Sequence, residues 1–234
     1  MILANIEKIR ERIARACQKS ARNPADLTLV AVSKTFPAEI VGEAVRAGLV
    51  DIGENYVQEL LSKRESLQGK PIRWHFVGHL QTNKVKYLAP WVHLIHALDN
   101  AGLAQELDRR GAQFGRRLDV LIEVNTTGES SKFGLPPGQV REFVRSCEGL
   151  NSIRMNGLMT IGPFLPDPEG SRPMFRQLRM LRDEIARLGQ ANATMEHLSM
   201  GMTGDFEVAI EEGATLLRLG TAIFGSRKKP IADR

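Results

Sequence analysis

Residues 30–37 have the sequence VAVSKTFP, which places a lysine where a strand ends and a helix begins. The run that includes its first half, LTLVAVS at 27–33, is short and rich in β-branched residues, which is typical of a strand buried on both faces. Pro37 suits the first turn of a following helix. Lys34 therefore follows a buried strand, and the simplest explanation is that its stem lies on the rim while its ammonium group reaches water.

The same alternation of strand and helix extends along all 234 residues. Eight runs have the composition of short strands: LTLVAVS, VDIGE, IRWHFVG, HLIHAL, DVLIEVN, RMNGLMT, MEHLSM and ATLLRLG. Helical patterns between them cover 37–47, 55–68, 81–88, 99–113, 136–148, 173–188 and 203–212. This alternation favours an α/β fold with a parallel sheet wrapped by helices, and eight units predict a (β/α)₈ TIM barrel. A doubly wound open sheet is the alternative, but no G-x-G-x-x-G motif follows a strand.

Composition limits the function more than it specifies it. Lys and Arg total 32 and Asp and Glu total 27, but the resulting net charge of +5 is scattered, and no nucleic-acid recognition motif accompanies it. Cys17 and Cys147 lie far apart and offer no metal-ligand spacing. The N-terminal segment has the pattern of an amphipathic helix rather than of a signal peptide, and no apolar run approaches the length of a membrane span. We therefore expect one cytoplasmic domain, residues 1–234, that binds no metal, nucleic acid or membrane.

Polar groups collect at the predicted carboxyl ends of the strands, the face that carries the chemistry in barrel enzymes. Surface loops are polar in any case, but convergence from several strands indicates a ligand site. In strand order, the residues at these ends are Lys34, Asn55, His79, Asn125, Met159 with Thr160, Ser199 and Arg218.

Two of these ends have the composition of an anion site. SMGMTGDF at 199–206 and RLGTAIFG at 218–225 each combine glycine with Ser or Thr at a strand-to-helix turn. Glycine lets the backbone approach an anion closely, and the amides and hydroxyls of such a turn donate hydrogen bonds. Because the seventh and eighth strands of a barrel are neighbours, the two turns together predict a phosphate site.

A lysine near a phosphate site suggests Schiff-base chemistry with a phosphorylated aldehyde, because loss of hydration favours a neutral amine. Two ligand classes fit, an aldolase phosphosugar and pyridoxal 5′-phosphate (PLP). An arginine beside a pyridine nitrogen can only donate, so Arg218 would keep that nitrogen unprotonated and disfavour transamination and decarboxylation. The alternative for Arg218 is an ion pair inside the barrel with Glu123 or Glu196.

Seven blocks between about residues 27 and 226 resemble the pyridoxal phosphate homeostasis protein family. They are VAVSKTFP, GENYVQEL, WHFVGHLQTNK, VNTTGESSKFG, RMNGLMTIGP, HLSMGMTGDFEVAIEEGAT and LRLGTAIFG. The resemblance implies a TIM barrel of the alanine racemase N-terminal domain type that holds PLP as an internal aldimine. Members of the family are regarded as carriers or regulators of the cofactor, without an established catalytic activity.

The resemblance also assigns residues. It implies that Lys34 is the aldimine lysine, that Arg218 faces the pyridine nitrogen and that Asn55 lies beside the ring. The phosphate cup is expected to contain Ser199, Gly201, Gly220 and Thr221, and Met159 completes the predicted cofactor-binding set. One departure is that Thr203 and Gly204 stand where the family often has Ser and an acidic residue, so the helix start is expected to be looser.

Two hypotheses from different classes follow. The favoured one is a non-catalytic carrier that holds PLP and hands it to apo-enzymes, and nothing in the sequence demands more than a monomer. The alternative is a PLP-dependent amino-acid racemase, which needs a second base on the face opposite the lysine. Tyr56 and Tyr87 are predicted in helices, and His79 and His197 are better explained as structural, so no catalytic residue is assigned. A class I aldolase is weaker still, since it gives Arg218 no role.

Overall fold

The alternation of strands and helices closes on itself in the computed structural model, which describes residues 1–129, 132–163 and 165–225. Eight parallel strands form a closed barrel in sequence order, so the TIM-barrel prediction is confirmed. The strands are β1 Thr28–Val32, β2 Asp51–Glu54, β3 Arg73–Phe76, β4 Leu94–Leu98, β5 Leu118–Glu123, β6 Ile153–Met159, β7 Ala193–Ser199 and β8 Leu216–Leu219. The barrel closes where β1 pairs with β8, with Val30 opposite Arg218.

Helices follow each strand and surround the barrel. The α-helices are α1 Ile2–Lys19, α2 Ala38–Arg46, α3 Val57–Ser66, α4 Val85–Leu88, α5 Ala101–Gln113, α6 Val140–Ser146, α7 Arg172–Ala186, α8 Phe206–Glu211 and α9 Thr221–Phe224. Short 3₁₀ helices cover Pro24–Asp26, Thr82–Lys84, Pro137–Gln139 and Pro168–Ser171. The sequence patterns did not predict α9, because its four residues are too few to show a helical period.

Successive strand residues face alternately into the barrel and out toward the helices, which separates two apolar clusters. A small inner cluster contains Val30, Leu94, Leu121, Met159 and Leu216. Their chain neighbours, such as Ala31, Ile95 and Leu217, belong to the large outer core that the helices cover. Because the inner cluster is small, polar side chains that share its inward direction fill much of the remaining interior.

The amphipathic N-terminal helix packs across one side of the barrel. Ile2, Ile6, Ile9 and Ile13 on one face of α1 are buried, and the helix contacts α8 and α9. Arg12 of α1 also binds both carboxylate oxygens of Glu207 in α8, at 2.7 and 2.8 Å. The N-terminal segment is thus part of the folded domain, as its pattern predicts.

Within the described ranges, no helix is both long enough and apolar enough to span a bilayer. The prediction of a single domain over 1–234 includes residues 226–234, which lie outside those ranges, so it stays a prediction.

Candidate functional site

A cavity of about 240 Å³ opens at the carboxyl ends of the strands. Five of the predicted cofactor residues line it together: Lys34, Asn55, Arg218, Gly220 and Thr221. The other lining residues are mostly apolar and come from the same strand ends and the loops after them: Val32, Phe36, Val77, Ile161, Met202 and Thr203. Residues that are far apart in the sequence therefore meet at one concave surface, as ligand sites require.

Lys34 lies in the turn after β1, and it is half-buried. The next residue, Thr35, has φ +69°, a left-handed conformation that costs energy for a β-branched side chain. Two hydrogen bonds support the turn: the Thr35 amide donates to Glu59 Oε2 at 2.9 Å, and the Phe36 amide donates to the Ser33 carbonyl at 3.0 Å. The surrounding structure thus fixes the backbone from which Lys34 projects.

A buried ionic network lies directly beneath this turn. Lys63 of α3 donates to Glu54 Oε1 at 2.5 Å, to Glu59 Oε2 at 3.0 Å and to the Ser33 carbonyl at 2.7 Å. Ser33 Oγ donates to the same Glu54 oxygen at 2.5 Å. Burial raises the pKa of Glu54 in spite of the hydrogen bonds from Lys63 and Ser33. For Glu59, hydrogen bonds from Thr35 and Lys63 outweigh burial and lower its pKa.

Sequence reasoning missed this network. The four-residue spacing of Glu59 and Lys63 on the predicted helix would have indicated an ion pair. Their junction with Glu54 and Ser33 depends on how α3 packs against β2 and beneath the turn after β1, which no local pattern encodes.

Arg218 extends inward from β8 and is buried. Its Nη1 donates to Ser199 Oγ at 2.6 Å and its Nη2 donates to the Thr160 carbonyl at 2.7 Å. Burial lowers the pKa of Arg218 to about 10, with partial compensation by the carboxylates of Glu123 and Asp205. The guanidinium therefore stays charged at neutral pH, and its two hydrogen bonds to Ser199 and Thr160 use two of its five N–H donors.

The structure does not bring three of the predicted residues, Met159, Ser199 and Gly201, to the cavity wall. The Ser199 side chain is buried, and its oxygen lies 2.9 Å from His96 Nδ1 as well as accepting from Arg218. Met159 belongs to the inner apolar cluster below the cavity. Their roles in cofactor binding stay predictions, but the geometry commits the Ser199 hydroxyl to Arg218 and His96.

The two glycine turns lie side by side at the ends of β7 and β8. Gly201 has φ +91°, and a Cβ there would lie 2.6 Å from the Ala209 Cβ. At Gly220 a Cβ would lie 3.1 Å from the Val32 carbonyl, so a larger residue there would crowd the β8 turn against the end of β1. Thr221 Oγ1 donates to Thr203 Oγ1 at 3.1 Å, which joins the two turns.

The residues at the cavity fit an anionic aromatic aldehyde such as PLP. Asn55 Oδ1 is buried, and it has no hydrogen-bond partner among the residues that the structure describes. A buried acceptor without a hydrogen bond costs free energy. A ligand that donates a hydrogen bond to Asn55 Oδ1, or that brings a water molecule to it, would remove this cost. Lys34 supplies an amine, Arg218 supplies donors, and Gly220 and Thr221 supply a turn that admits a phosphate.

The second bases considered for a racemase lie away from the cavity. His79 stacks on Phe133, with ring centres 3.9 Å apart, and its Nδ1 is 3.5 Å from Asp99. His197 lies 3.3 Å from Thr215 Oγ1, and burial lowers its pKa. Tyr56 is 58% exposed. Among the described residues that line the cavity, only Lys34 and Arg218 are ionisable.

Glu123 lines a neighbouring cavity of about 180 Å³, which shares Ile161 with the first. Burial, with a smaller contribution from the nearby carboxylate of Asp99, raises the pKa of Glu123 to about 7, although the charge of Arg218 acts in the opposite direction. The direct ion pair between Arg218 and Glu123 or Glu196, which the sequence left open, is not among the salt bridges of the described residues.

Comparison with known proteins gives the same assignment from an independent direction. A family model for the N-terminal domain of alanine racemase matches residues 4–228. The fold and the cavity thus define a barrel of the alanine racemase N-terminal domain class. A pyridoxal phosphate homeostasis protein from Aquifex aeolicus is 48% identical over 223 residues, covering 95% of this chain and 97% of the relative. The human protein of the same name is 40% identical over 250 residues, covering 98% of this chain and 89% of the relative. The chain belongs to the pyridoxal phosphate homeostasis protein family.

Solved structures agree with this assignment. PipY of Synechococcus elongatus, in a structure with PLP bound, has a TM-score of 0.84 at 30% identity and covers 96% of this chain and 100% of its own. Alanine racemase of Clostridium difficile has a TM-score of 0.68 at 13% identity, covering 94% of this chain and 60% of the racemase, and it shares the fold alone.

Proposed function

We propose that this protein binds PLP covalently through Lys34 and serves the supply of that cofactor to apo-enzymes, without robust catalytic turnover. The observation that carries the proposal is the single cavity in which Lys34, Asn55, Arg218 and the Gly220–Thr221 turn meet. The PLP bound in PipY and the names of the curated relatives support the choice of cofactor.

The amine of Lys34 is proposed to attack the aldehyde carbon and form a Schiff base, with loss of one water molecule. When bound, PLP supplies an aromatic ring that can accept electrons from an attached amine. Arg218 would set how strongly the ring does so. A guanidinium donates and never accepts, so an N–H aimed at the pyridine nitrogen leaves that nitrogen unprotonated and the ring a weak electron sink.

The phosphate is proposed to sit against the Gly220–Thr221 turn. The missing side chain of Gly220 lets the backbone approach the anion, and the hydroxyls of Thr221 and Thr203 are within 3.1 Å of each other at the cavity wall. Gly201 contributes through its left-handed turn, since its carbonyl accepts from the Arg218 amide at 3.1 Å and so joins the β7 and β8 ends.

Weak or absent turnover follows from the composition of the wall. A racemase must protonate the face opposite the lysine, and positioned acid–base groups typically contribute about 10²–10⁴ in rate. The described wall offers Lys34 and Arg218 as ionisable groups, and an arginine is a poor proton donor. The likeness to alanine racemase supports the fold and does not supply this second base.

Borohydride reduction tests the covalent site. Reduction of the PLP-loaded protein followed by peptide mass spectrometry should place the reduced cofactor on the peptide that contains Lys34. Lys34→Ala should abolish the label, whereas Lys70→Ala, which removes an exposed lysine away from the cavity, should leave it in place. A label on another lysine in the native protein would overturn the assignment.

Deuterium exchange and transfer test the carrier role. Incubation of the PLP-loaded protein with L-alanine or L-serine in D₂O should give little exchange of the α-hydrogen, while an apo-enzyme added to it should gain activity. Rapid exchange with formation of the D-isomer, abolished by Lys34→Ala, would refute the carrier function and support a racemase. Cytoplasmic location and a monomeric state stay predictions, the latter testable by light scattering.

A further inference from the structure

Five buried polar side chains form a continuous hydrogen-bonded chain through the inside of the barrel. Asp51 Oδ1 lies 3.0 Å from His75 Nε2, and His75 Nδ1 lies 3.0 Å from His96 Nε2. His96 Nδ1 lies 2.9 Å from Ser199 Oγ, which accepts from Arg218 Nη1 at 2.6 Å. Asp51 is the first residue of β2, and Arg218 lines the cofactor cavity. The chain therefore runs from the far end of the barrel to the site.

The donors and acceptors of this chain can be ordered from its carboxylate end. Asp51 binds Arg73 through both oxygens at 2.8 and 2.6 Å, and hydrogen bonds from His75 and Arg73 outweigh burial and lower its pKa. A carboxylate only accepts, so His75 Nε2 carries a proton toward it. In a neutral ring the His75 Nδ1 is then an acceptor, and His96 Nε2 must donate to it.

The order continues to the cofactor site. His96 is fully buried, and burial with the nearby positive charges lowers its pKa well below the usual range, so its ring is neutral. With its proton on Nε2, His96 Nδ1 accepts from the Ser199 hydroxyl. The lone pairs of Ser199 Oγ are then directed to Arg218, which donates. Every bond in the chain therefore points the same way, from Arg218 toward Asp51.

We propose that Asp51, His75 and His96 are positioning residues that fix the orientation of Arg218, and through it the electronic state of the bound cofactor ring. With the opposite tautomer, His96 would donate to Ser199 Oγ, and the Ser199 proton would lose its acceptor beside an arginine that also only donates. The tautomer of His96 thus decides whether the Ser199 proton keeps an acceptor while Ser199 Oγ accepts from Arg218. The role of Arg218 at the ring rests on the proposed function, whereas the order of the chain does not.

The groups around the chain restrict other interpretations. His93 lies edge-on to His75, with ring centres 5.2 Å apart, outside the hydrogen-bonded path. His93, with His75 and Asp51, places ligand atoms within 4.8 Å. However, Arg73 already occupies both oxygens of Asp51, and its charge opposes a cation there. Among the described residues, the other charged or titratable groups near these rings are Asp119, Arg154, Glu196 and His197.

The first test needs neither cofactor nor variant. The sequence has five histidines, so long-range ¹H–¹⁵N NMR can assign each ring. In the unloaded protein at pH 7, the His96 ring should be neutral with its proton on Nε2, and His75 Nε2 should carry a proton. A proton on His96 Nδ1 would overturn the proposal even if PLP binding were fully established.

The second test uses matched variants. His75→Phe should remove the acceptor for His96 Nε2, change the His96 tautomer distribution, and shift both the absorption maximum of bound PLP and its pH dependence. His93→Phe changes a neighbouring ring outside the chain and should leave the spectrum as in the native protein. If His75→Phe changes the His96 tautomer without moving the spectrum, or if His93→Phe moves it equally, the positioning role is wrong. Failure of the native protein to bind PLP at all would instead refute the proposed function.

Discussion

Glu123→Gln tests whether the interior of this barrel controls protonation as the structure indicates. Glu123 ends β5, is 6% exposed, and faces the interior beside Asp99 and within the field of Arg218. Glutamine has nearly the same shape and cannot ionise. The substitution therefore removes the titration and leaves the packing nearly unchanged.

The magnitude follows from the pKa of about 7, compared with an ordinary value of 4.5. Because the folded-state pKa is raised, the folded protein binds more protons than the unfolded chain between these values, and stability falls as the pH rises through this window. The contribution of the Glu123 carboxyl to stability is fully present below about pH 4.5 and is lost above about pH 7. This difference in the pKa of Glu123 between the folded and unfolded states corresponds to at most about 3–4 kcal/mol. Loss of the attraction to Arg218 in the variant makes the measured gain somewhat smaller.

The assay is equilibrium urea unfolding of the unloaded protein between pH 4.5 and 8.5, followed by tryptophan fluorescence. Glu123→Gln should be more stable than the native protein at pH 8.5, and the advantage should disappear toward pH 4.5. Glu142→Gln, which removes an exposed glutamate on α6, serves as the control and should show no such trend. A stability difference for Glu123→Gln that is independent of pH would refute the inference that burial controls this carboxyl.

Three further substitutions test the turns and the ionic network. Lys63→Met should destabilise the protein by about 3–5 kcal/mol in urea unfolding, because it leaves the buried Glu54 without its counter-charge. An unchanged free energy of unfolding would mean that Glu54 is already protonated. Thr221→Val should weaken the binding of PLP about tenfold in equilibrium titrations, since a charge-assisted hydrogen bond contributes about 1.5–3 kcal/mol. The binding of pyridoxal, which has no phosphate, should change little. Equal weakening of both ligands would place the phosphate elsewhere. Gly201→Ala should lower the stability of the fold by about 1–3 kcal/mol, because it puts a Cβ in a left-handed turn against α8. Gly204→Ala should be tolerated, since nothing lies within 4 Å of its Cβ position. Similar melting temperatures for both variants would contradict this account.

The sequence by itself determined the barrel and the face that carries the site. Hydrophobic period and turn composition are local properties, so eight strands and the helices after the first seven could be predicted from adjacent residues. Arg218 was expected inside the barrel, either at a cofactor ring or in an ion pair, and it extends inward from β8. Lys34, Asn55, Gly220 and Thr221 were found at the cavity because the carboxyl ends of parallel strands necessarily share one face.

Only the tertiary structure decided which partner each buried polar group has. Ser199 is at the expected strand end, yet its hydroxyl turns to Arg218 and His96 rather than to the cavity. Lys63 joins Glu54 and Ser33 because α3 packs against β2, next to the turn that follows β1. These pairings, and the pKa shifts that burial causes, depend on distances between residues far apart in the chain. A local pattern contains no such distances, so the chemistry of the barrel interior emerges only when the strands close.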